Sequence, residues 1–337
     1  MPVSPESQQI IGEAPAFVEM LEHVSRAAPL SKPVLVVGER GTGKELIASR
    51  LHFLSERWEQ RVVKVNCAAL TESILESELF GHEAGAFTGA ARTHIGHFER
   101  AEGGTLILDE LATISLRMQE KILRTIEYGE IQRVGGSETL QVDVRIVGST
   151  NADLQTLAAE GRFRKDLLDR LAFDVITMPP LRERVEDIMP LAHAFAINMA
   201  SELKWSYFPG FSPRASSTLL QNRWPGNVRE LKNTIERTVY RAEDPEQPIK
   251  EISLDPFDSP FKIAPAPHAG KAQATRPQRS PILPTDLQQR LVDLETNLLE
   301  AALQRSRFNQ RMAADLLGLS YHQFRGKLRK FGISSKP

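Results

Sequence analysis

The 337-residue sequence contains a single cysteine, Cys67, and no long apolar run. One cysteine excludes an internal disulfide framework and a metal site built from several thiolates. No stretch approaches the roughly 20 apolar residues of a membrane-spanning helix, and the polar N-terminus lacks the apolar core of a secretory signal. We therefore expect a cytoplasmic protein without membrane insertion, in which Cys67 is a buried structural residue at the end of a strand.

The formal net charge is also small, at −1, but the charges are unevenly distributed. The segment from Arg305 to Pro337 carries eight Lys or Arg residues against one acidic residue, Asp315. The net charge of this tail is therefore +7, which leaves −8 on the rest of the chain. A basic tail on a nearly neutral protein indicates binding to a polyanion.

Short β-branched stretches alternate with helical patterns over the first half of the chain. The stretches "PVLVVG", "RVVKVN", "GTLILDE" and "VRIVGST" are too short for helices, and amphipathic segments lie between them. This alternation predicts an α/β fold with a parallel sheet covered on both faces. After "MPPLRER", helical periodicity dominates. A proline-rich stretch follows, which predicts a flexible linker. Helical patterns then return and continue to the end of the chain. We divide the chain into residues 1–180, 181–254, 255–286 and 287–337.

A glycine-rich turn in "VLVVGERGTGKE" joins a predicted strand to a predicted helix. Gly38, Gly43 and Lys44 have the spacing of a P-loop. Glycines let backbone N–H groups surround phosphates, the helix N-terminus adds positive potential, and Lys44 reaches the outer phosphates. The predicted ATP-binding residues of this turn are Gly38, Glu39, Arg40, Gly41, Thr42, Gly43, Lys44 and Glu45. Glu45 replaces the Ser or Thr that usually supplies a hydroxyl to Mg²⁺, so its part in metal binding stays open.

An acidic pair, Asp109 and Glu110, ends the strand predicted in "GGTLILDE". In a parallel sheet this strand end lies near the P-loop. We expect Asp109 to hold Mg²⁺ through water and Glu110 to polarise the attacking water. An acidic pair at a strand end often only caps the next helix, but the P-loop favours the catalytic role.

Further polar residues follow other predicted strands and turns. Thr150 and Asn151 come directly after "VRIVGS", where their side chains can sense a γ-phosphate. In "GRFRKDLLDRLAF", Arg164 and Arg170 would lie about 240° apart on one helix. They can face one site only if Arg164 lies in the turn before that helix. The alternative for both is an exposed surface arginine.

The segment "WPGNVREL" predicts a helix start. We expect Asn227 to cap this helix and Glu230 to complete a pattern similar to a capping box. Arg229 then lies in the first turn and can point at a nucleotide, and its alternative role is a surface ion pair.

Residues 85–90 read "GAFTGA" and fit neither a core strand nor a good helix. Phe87 is their only large apolar side chain. We expect a mobile, exposed loop that presents Phe87 to another protein.

The basic C-terminal segment predicts a helix-turn-helix. "NQRMAADLLG" predicts a short helix capped by Asn309 and stopped at Gly318, and "YHQFRGKLRKFG" predicts a basic second helix. A solvated face or a membrane-surface helix is the alternative, but the capped helix and tight turn favour DNA. The residues predicted to reach base edges are Tyr321, His322 and Gln323, and those predicted to meet phosphates are Arg325, Lys327, Arg329 and Lys330.

Five segments together resemble the signatures of bacterial enhancer-binding proteins, the AAA+ ATPases that activate sigma-54 RNA polymerase. They are "GERGTGKE", "ESELFGHEAGAFTGA", "AEGGTLILDE", "FRKDLLDRLAF" and "WPGNVRELKN". The resemblance covers about residues 10–251, and the C-terminal segment is similar to the Fis-type domain of the same activators. Within the family the chain most resembles phage-shock operon activators. We expect the AAA+ domain to begin almost at residue 1, with no receiver or ligand-sensing domain before it, and "LTESILESELFGHEAGAFTGA" and "LLGLSYHQFR" add to that likeness.

This resemblance implies a fold and a set of roles. Residues 1–180 would form an AAA+ α/β nucleotide-binding subdomain with a parallel sheet, 181–254 its small helical lid, and 287–337 an all-α Fis-type helix-turn-helix domain. ATP and Mg²⁺ would be the cofactors. Arg164 and Arg170 would be arginine fingers that reach a neighbouring subunit's ATP in a ring, expected to be a hexamer.

The resemblance also assigns sensing and partner-binding residues. Asn66 would pair with Glu110 and relay the nucleotide state, Thr150 and Asn151 would form the first sensor, and Arg229 the second. The residues implied to contact sigma-54 are Gly85, Ala86, Phe87, Thr88, Gly89 and Ala90.

The expected partners are the sigma-54 RNA polymerase holoenzyme, double-stranded DNA upstream of the promoter, further copies of the chain, and a PspA-like negative regulator acting in trans. Trp58, in the charged segment "LSERWEQR", is a candidate contact for that regulator, although a Trp at such a position usually packs on its own domain. One rival function is an AAA+ DNA motor or chaperone acting on another substrate. Another is a DNA-binding repressor with a vestigial ATP site, against which the intact Lys44, Asp109 and Glu110 argue.

Overall fold

A computed structural model describes residues 10–256, 287–306 and 308–333. The chain divides into two compact units, residues 1–260 and 261–337. Most of the linker predicted over 255–286 lies outside the described residues.

The first unit is built on a five-stranded parallel sheet, accompanied by a two-stranded antiparallel hairpin. The sheet strands are β1 (Val34–Val37), β2 (Val62–Asn66), β3 (Thr105–Asp109), β6 (Arg145–Thr150) and β7 (Asp174–Thr177), and the hairpin strands are β4 (Glu130–Gln132) and β5 (Thr139–Gln141). The order of the strands in the sheet is β2-β3-β6-β1-β7. The predicted parallel α/β fold is confirmed.

Helices cover both faces of this sheet, and a helical lid follows it. Short 3₁₀ turns span Leu111–Thr113, Leu181–Glu183 and Val185–Asp187. The helices of the sheet region are α1 (Pro15–Ala27), α2 (Lys44–Phe53), α3 (Glu72–Phe80), α4 (His97–Arg100), α5 (Leu116–Tyr128), α6 (Leu154–Ala159) and α7 (Lys165–Leu171). The lid helices are α8 (Ile188–Glu202), α9 (Pro213–Gln221) and α10 (Asn227–Tyr240).

Alternating side chains of the strands feed two separate cores. Leu106 and Leu108 of β3 pack on one side of the sheet, whereas Ile107 packs on the other. Successive residues of a strand point to opposite faces, so a strand buried on both faces must be apolar throughout. The lid has a third core around Trp224, whose indole N–H donates to the Leu219 carbonyl at 2.9 Å.

The second unit is a three-helix domain of α11 (Leu287–Arg305), α12 (Gln310–Leu316) and α13 (Tyr321–Phe331). Phe324 and Leu328 of α13 pack with Leu299 and Leu303 of α11 in one small core. As predicted, the Asn309 side chain caps α12, where it accepts from the N–H groups of residues 311 and 312.

A buried arginine, Arg145, joins two helices to the start of β6. Its guanidinium donates to the carbonyls of Ala28 at 2.6 Å, Ala27 at 3.0 Å and Leu51 at 3.4 Å. These carbonyls lie at the C-terminal ends of α1 and α2, where the helix dipoles favour a cation. Burial lowers the pKa of Arg145 to about 10, with the nearby Arg57 acting in the same direction.

We predict that Arg145→Met lowers the free energy of unfolding by about 3 kcal/mol or more, because several buried carbonyls lose their donor. Urea unfolding of the full chain measures the change. Arg61→Met, at an exposed position before β2, is the matched control and should stay within about 0.5 kcal/mol of the parent chain. Equal midpoints for the two variants would contradict this role of Arg145.

Candidate functional site

The P-loop connects β1 to α2 and includes two glycines that the fold requires. Gly41 and Gly43 have φ angles of +77° and +101°, in the region that favours glycine. A side chain at Gly41 would place its Cβ 2.3 Å from the Gly226 carbonyl oxygen. The lid therefore approaches the P-loop backbone at a distance that only glycine permits.

Donors from the P-loop itself satisfy its first two carbonyl groups. Lys44 Nζ donates to the carbonyls of Gly38 at 3.0 Å and Glu39 at 3.1 Å. The Thr42 hydroxyl also donates to the Glu39 carbonyl, at 2.9 Å. Lys44 is buried, and burial lowers the pKa of its ammonium group while the carboxylates of Glu110 and Asp109 act in the opposite direction.

Donors from the lid side satisfy the next three carbonyl groups. One comes from a buried amide, one from a backbone N–H and one from a buried guanidinium. The pairs are Asn227 Nδ2 to Arg40 O at 3.0 Å, Arg229 N to Gly41 O at 3.3 Å, and Arg184 Nη2 to Thr42 O at 3.0 Å. A P-loop that aims its N–H groups inward has its carbonyls outward, and buried carbonyls need donors.

Arg184 also connects the P-loop to α1 and to the segment just before it. Its guanidinium lies 4.7 Å from the ring centroid of Phe17 on α1 and 4.0 Å from the Asp187 carboxylate. Asp187 accepts hydrogen bonds from the backbone N–H groups of residues 13 and 14. Burial lowers the pKa of Arg184, and Asp187 opposes this shift. The sequence reasoning missed Arg184, because its partners are distant along the chain.

A cleft of about 1340 Å³ lies between the P-loop, the end of β3 and the first turn of α10. Eight of the predicted site residues line it together. They are Arg40, Gly41, Gly43, Lys44, Glu45, Asp109, Glu110 and Arg229. The structure thus brings the predicted P-loop, acidic pair and second sensor to one site.

The two residues of the acidic pair, Asp109 and Glu110, have different surroundings. The Ser149 hydroxyl on β6 donates a hydrogen bond to the Asp109 carboxylate. The sequence reasoning missed Ser149, although its place in "VRIVGST" beside two predicted site residues was a signal. Glu110 has a φ of +53°, which is uncommon for a residue other than glycine. Such backbone strain is found most often at functional sites.

Asn66 lies beside Asp109 on the neighbouring strand but does not bond to Glu110 in the described part of the chain. Residues 66 and 109 are paired in the β2–β3 register. The Asn66 Oδ1 instead accepts from the backbone N–H of Ala68 at 2.9 Å. The pairing of Asn66 with Glu110 therefore stays a prediction.

Thr150 and Asn151 follow β6 as expected but differ in exposure. Thr150 is buried, and its carbonyl accepts from the Gly38 N–H at 3.3 Å, which ties β6 to the P-loop. Its hydroxyl accepts from the Ala152 N–H at 3.1 Å. Asn151 is exposed.

The two predicted arginine fingers do not line the cleft of their own chain. Arg164 is the N-cap residue of α7, so it lies in the turn before the helix, and its side chain pairs with Asp166 at 2.8 Å. Arg170 lies in the last turn of α7 and pairs with Glu127 at 2.9 Å. Both side chains are partly exposed.

The predicted capping role of Asn227 is wrong. Asn227 is the first residue of α10, and its buried side chain bonds to Leu181, Glu39 and Arg40. The Glu230 carboxylate accepts from the Gly226 N–H at 2.7 Å at this helix start. A cap prediction considers only partners within the helix start, whereas the Asn227 amide donates to the carbonyl of Arg40, which is distant along the chain.

The loop at residues 85–90 closes on itself through two backbone hydrogen bonds. Gly85 N–H donates to the Ala90 carbonyl at 2.8 Å, and Ala90 N–H donates to the Phe87 carbonyl at 3.0 Å. Phe87 is 48% exposed, and its ring contacts the His82 ring edge-on at 4.9 Å between centroids. Phe87 is thus available at the surface, with one aromatic neighbour at the base of the loop.

One arginine ties the base of this loop to α4. Arg133, which follows β4, donates to Glu83 at 2.8 Å and to Glu99 at 2.6 Å. Hydrogen bonds from Arg133 lower the pKa of the Glu83 carboxyl group.

The basic helix α13 carries the residues predicted to contact DNA. His322, Arg325 and Arg329 are exposed. Two others already have partners, because Lys327 pairs with Glu295 of α11 at 2.7 Å and Gln323 closes a capping box with Ser320. Tyr321 lies beside the Arg311 guanidinium, at 5.8 Å from its ring centroid.

Two further predictions concern residues outside the cleft. Cys67 is buried, and burial raises the pKa of its thiol to about 12, so its structural role is supported. Trp58 is 57% exposed rather than packed on its own domain. Over the described ranges, the chain has no helix that is long and apolar enough to cross a membrane.

Comparison with known protein families assigns nearly the whole chain. Residues 10–177 match the sigma-54 interaction domain, 182–262 the AAA+ ATPase lid domain, and 290–331 the Fis family of bacterial regulatory proteins.

Individual proteins that resemble this chain support the same family assignment. The Psp operon transcriptional activator of Escherichia coli K12 is 58% identical over 96% of this chain and 98% of its own. The regulatory protein ZraR of Klebsiella oxytoca is 43% identical over 95% of this chain and 68% of its own. Among solved structures, NtrX of Brucella abortus in complex with ATP is 31% identical, with a TM-score of 0.68 over 96% of this chain and 70% of that one. The chain belongs to the sigma-54 interaction domain family of AAA+ ATPases.

Proposed function

We propose that the chain is a transcriptional activator that binds DNA upstream of a promoter and uses ATP hydrolysis to remodel the sigma-54 RNA polymerase closed complex into the open complex. One observation carries this function. The same unit combines a P-loop cleft with a surface loop that presents Phe87, and Arg133 joins the base of that loop to α4. The P-loop cleft accounts for the ATP hydrolysis, and the loop with Phe87 accounts for the contact with the target protein.

The residues of the cleft suit ATP hydrolysis. Lys44 has three N–H donors and two carbonyl partners, so one donor would remain for the outer phosphates, and Glu110 would polarise the attacking water. Asp109 fits Mg²⁺, because Mg²⁺ in such sites is held by one or two carboxylates together with phosphates and water. Mg²⁺ would neutralise charge on the phosphate oxygens. Ser149 would keep the Asp109 carboxylate oriented.

The arginine fingers require a second subunit. Arg164 and Arg170 lie outside the cleft of their own chain, so they would serve the ATP of a neighbour in a ring, which we expect to be a hexamer. An arginine supplied in trans stabilises charge on the transferring phosphoryl group and makes hydrolysis depend on assembly. Thr150 and Asn151, with Arg229, would report the state of the γ-phosphate, and Asn66 would pass it on through Glu110.

The remaining surfaces would bind macromolecular partners. Residues 85–90 would contact sigma-54, and α13 would enter the DNA major groove with Arg325 and Arg329 on phosphates. The similarity to the Escherichia coli Psp operon activator over nearly the full length of both chains supports control of a phage-shock operon. Exposed Trp58 would then contact a PspA-like negative regulator, since Trp is enriched at binding hot spots.

We predict that Phe87→Ala retains ATPase activity but loses open-complex formation with sigma-54 holoenzyme, because Phe87 acts on the partner and not on ATP. Ile197→Ala, on α8, removes a similarly exposed apolar side chain (55% exposed) far along the chain and serves as the control. A permanganate footprint of the melted promoter measures the outcome. Full activation by Phe87→Ala would exclude sigma-54 as the target of this loop and favour a motor or chaperone with another substrate.

A mixing experiment tests the ring. Lys44→Ala and Arg164→Ala should each lose about 100-fold or more in ATPase activity. In an equal mixture, activity should recover to as much as about a quarter of the parent value, since half of the subunits keep a P-loop and half of their neighbours keep fingers. Cross-linking of differently tagged subunits confirms that mixed rings form. Mixed rings without any recovery would show that the arginine acts within its own chain.

A further inference from the structure

The outer face of the P-loop carries a small polar cluster of Glu39, Arg182 and Asn227, which we name the P-loop clasp. Arg182 donates to both carboxylate oxygens of Glu39, at 2.7 and 2.9 Å. Asn227 Nδ2 donates to the same carboxylate at 3.1 Å. The clasp joins the P-loop, the turn that precedes the lid, and α10, the last lid helix.

Asn227 is the buried centre of the clasp. Its Oδ1 accepts from the Leu181 N–H at 2.8 Å, and its Nδ2 donates to the Arg40 carbonyl at 3.0 Å as well as to Glu39. A buried amide in this position has a partner on each side, so any rotation of the lid away from the P-loop leaves buried polar groups without partners. The φ of +52° at Asn227 adds backbone strain, which the surrounding contacts must hold.

The Asn227 side chain does not cap its own helix. The Gly226 N–H is satisfied by Glu230 at 2.7 Å. The Asn227 amide therefore bonds to groups outside α10, namely to the P-loop and to the backbone of Leu181.

Arg229 lies two residues after Asn227 and faces the cleft. Its backbone N–H donates to the Gly41 carbonyl at 3.3 Å, and its side chain lines the cleft with Lys44. The position of Arg229 relative to a bound phosphate thus depends on how Asn227 anchors the first turn of α10.

Glu39 places a negative charge beside a loop built to bind anions. Hydrogen bonds from Arg182 and then from Asn227 lower the pKa of Glu39 to about 2, so the carboxylate is ionised at neutral pH. An unpartnered carboxylate here would repel ATP, and Arg182 supplies the matching charge in a bidentate geometry.

We propose that Asn227 is a positioning residue that sets Arg229 over the nucleotide, and that Arg182 neutralises Glu39 so that the P-loop accepts phosphate. This inference rests on the proposed ATPase function. It assigns to the clasp a role in ATP affinity, in addition to any effect on folding.

The test is a double-mutant cycle on the full chain, with KM for ATP from steady-state hydrolysis and Kd for a fluorescent ATP analogue from titration. Asn227→Gly tolerates the positive φ and removes the donor to Arg40 and Glu39 without adding a charge. We expect Asn227→Gly to raise KM and Kd about tenfold when Arg229 is present and less than about twofold in an Arg229→Ala background. Asn198→Gly, at an exposed position on α8, is the matched control and should change neither constant.

An equal rise in both backgrounds, or no rise in either, would overturn the role of Asn227. If Asn227→Gly does not fold, the exposed ion pair of Arg182 and Glu39 tests the inference. Arg182→Gln alone should weaken ATP binding several-fold, and adding Glu39→Gln should restore it. Arg182→Gln with parent affinity, or no restoration in the double variant, would overturn the inference. A parent chain that binds the analogue without hydrolysing ATP would instead refute the proposed function, while the binding cycle would still test the clasp.

Discussion

A P-loop can turn its N–H groups toward phosphates only if its carbonyl groups find donors on the other side, and this requirement organises the site of the protein. Lys44 and Thr42 serve the first two carbonyls from within the loop. Donors from Asn227, Arg229 and Arg184 serve the next three. The lid and the turn before it are therefore part of the P-loop's hydrogen-bond network. The shape of the phosphate site and the position of the lid are coupled by the same few hydrogen bonds.

Two buried guanidinium groups, those of Arg184 and Arg145, likewise donate to buried backbone carbonyls and connect further parts of the α/β unit. Arg184 carries the connection from the Thr42 carbonyl to Phe17 and Asp187, and so to the segment before α1. Arg145 holds the C-terminal ends of α1 and α2 from the start of β6. Thr150, at the other end of β6, accepts from the P-loop at Gly38. The strand thus touches helix ends at one terminus and the nucleotide site at the other.

Sequence reasoning predicted the parts of the site whose chemistry is local. The P-loop and the acidic pair are contiguous motifs that follow strands, so their spacing alone indicated their role and the structure brings them into one cleft. The parallel sheet followed from apolar runs such as "TLILD", in which every second residue feeds a different core. The exposed Phe87 followed from a segment in which its neighbours are too small to bury it.

The residues that sequence reasoning missed or misassigned act through partners far along the chain. Asn227 matched a capping position, yet its donors are used by a loop 187 residues away. Arg182 and Arg184 belong to no local motif, and only the fold reveals their contacts and the contact of Ser149 with Asp109. Arg164 and Arg170 are a third case, because the structure of one chain places them away from its own cleft, and their assigned site needs a neighbouring subunit.

The central claim is that the lid donors hold the P-loop in its phosphate-binding shape. A crystal structure of the protein with Mg²⁺ and a non-hydrolysable ATP analogue tests it most directly. We expect the phosphates to lie on the backbone N–H groups of residues 41–45, with Arg229 on the γ-phosphate and Asn227 Nδ2 still within hydrogen-bond distance of the Arg40 carbonyl. Phosphates bound at that loop with the Asn227 side chain turned away from Arg40 would contradict the claim.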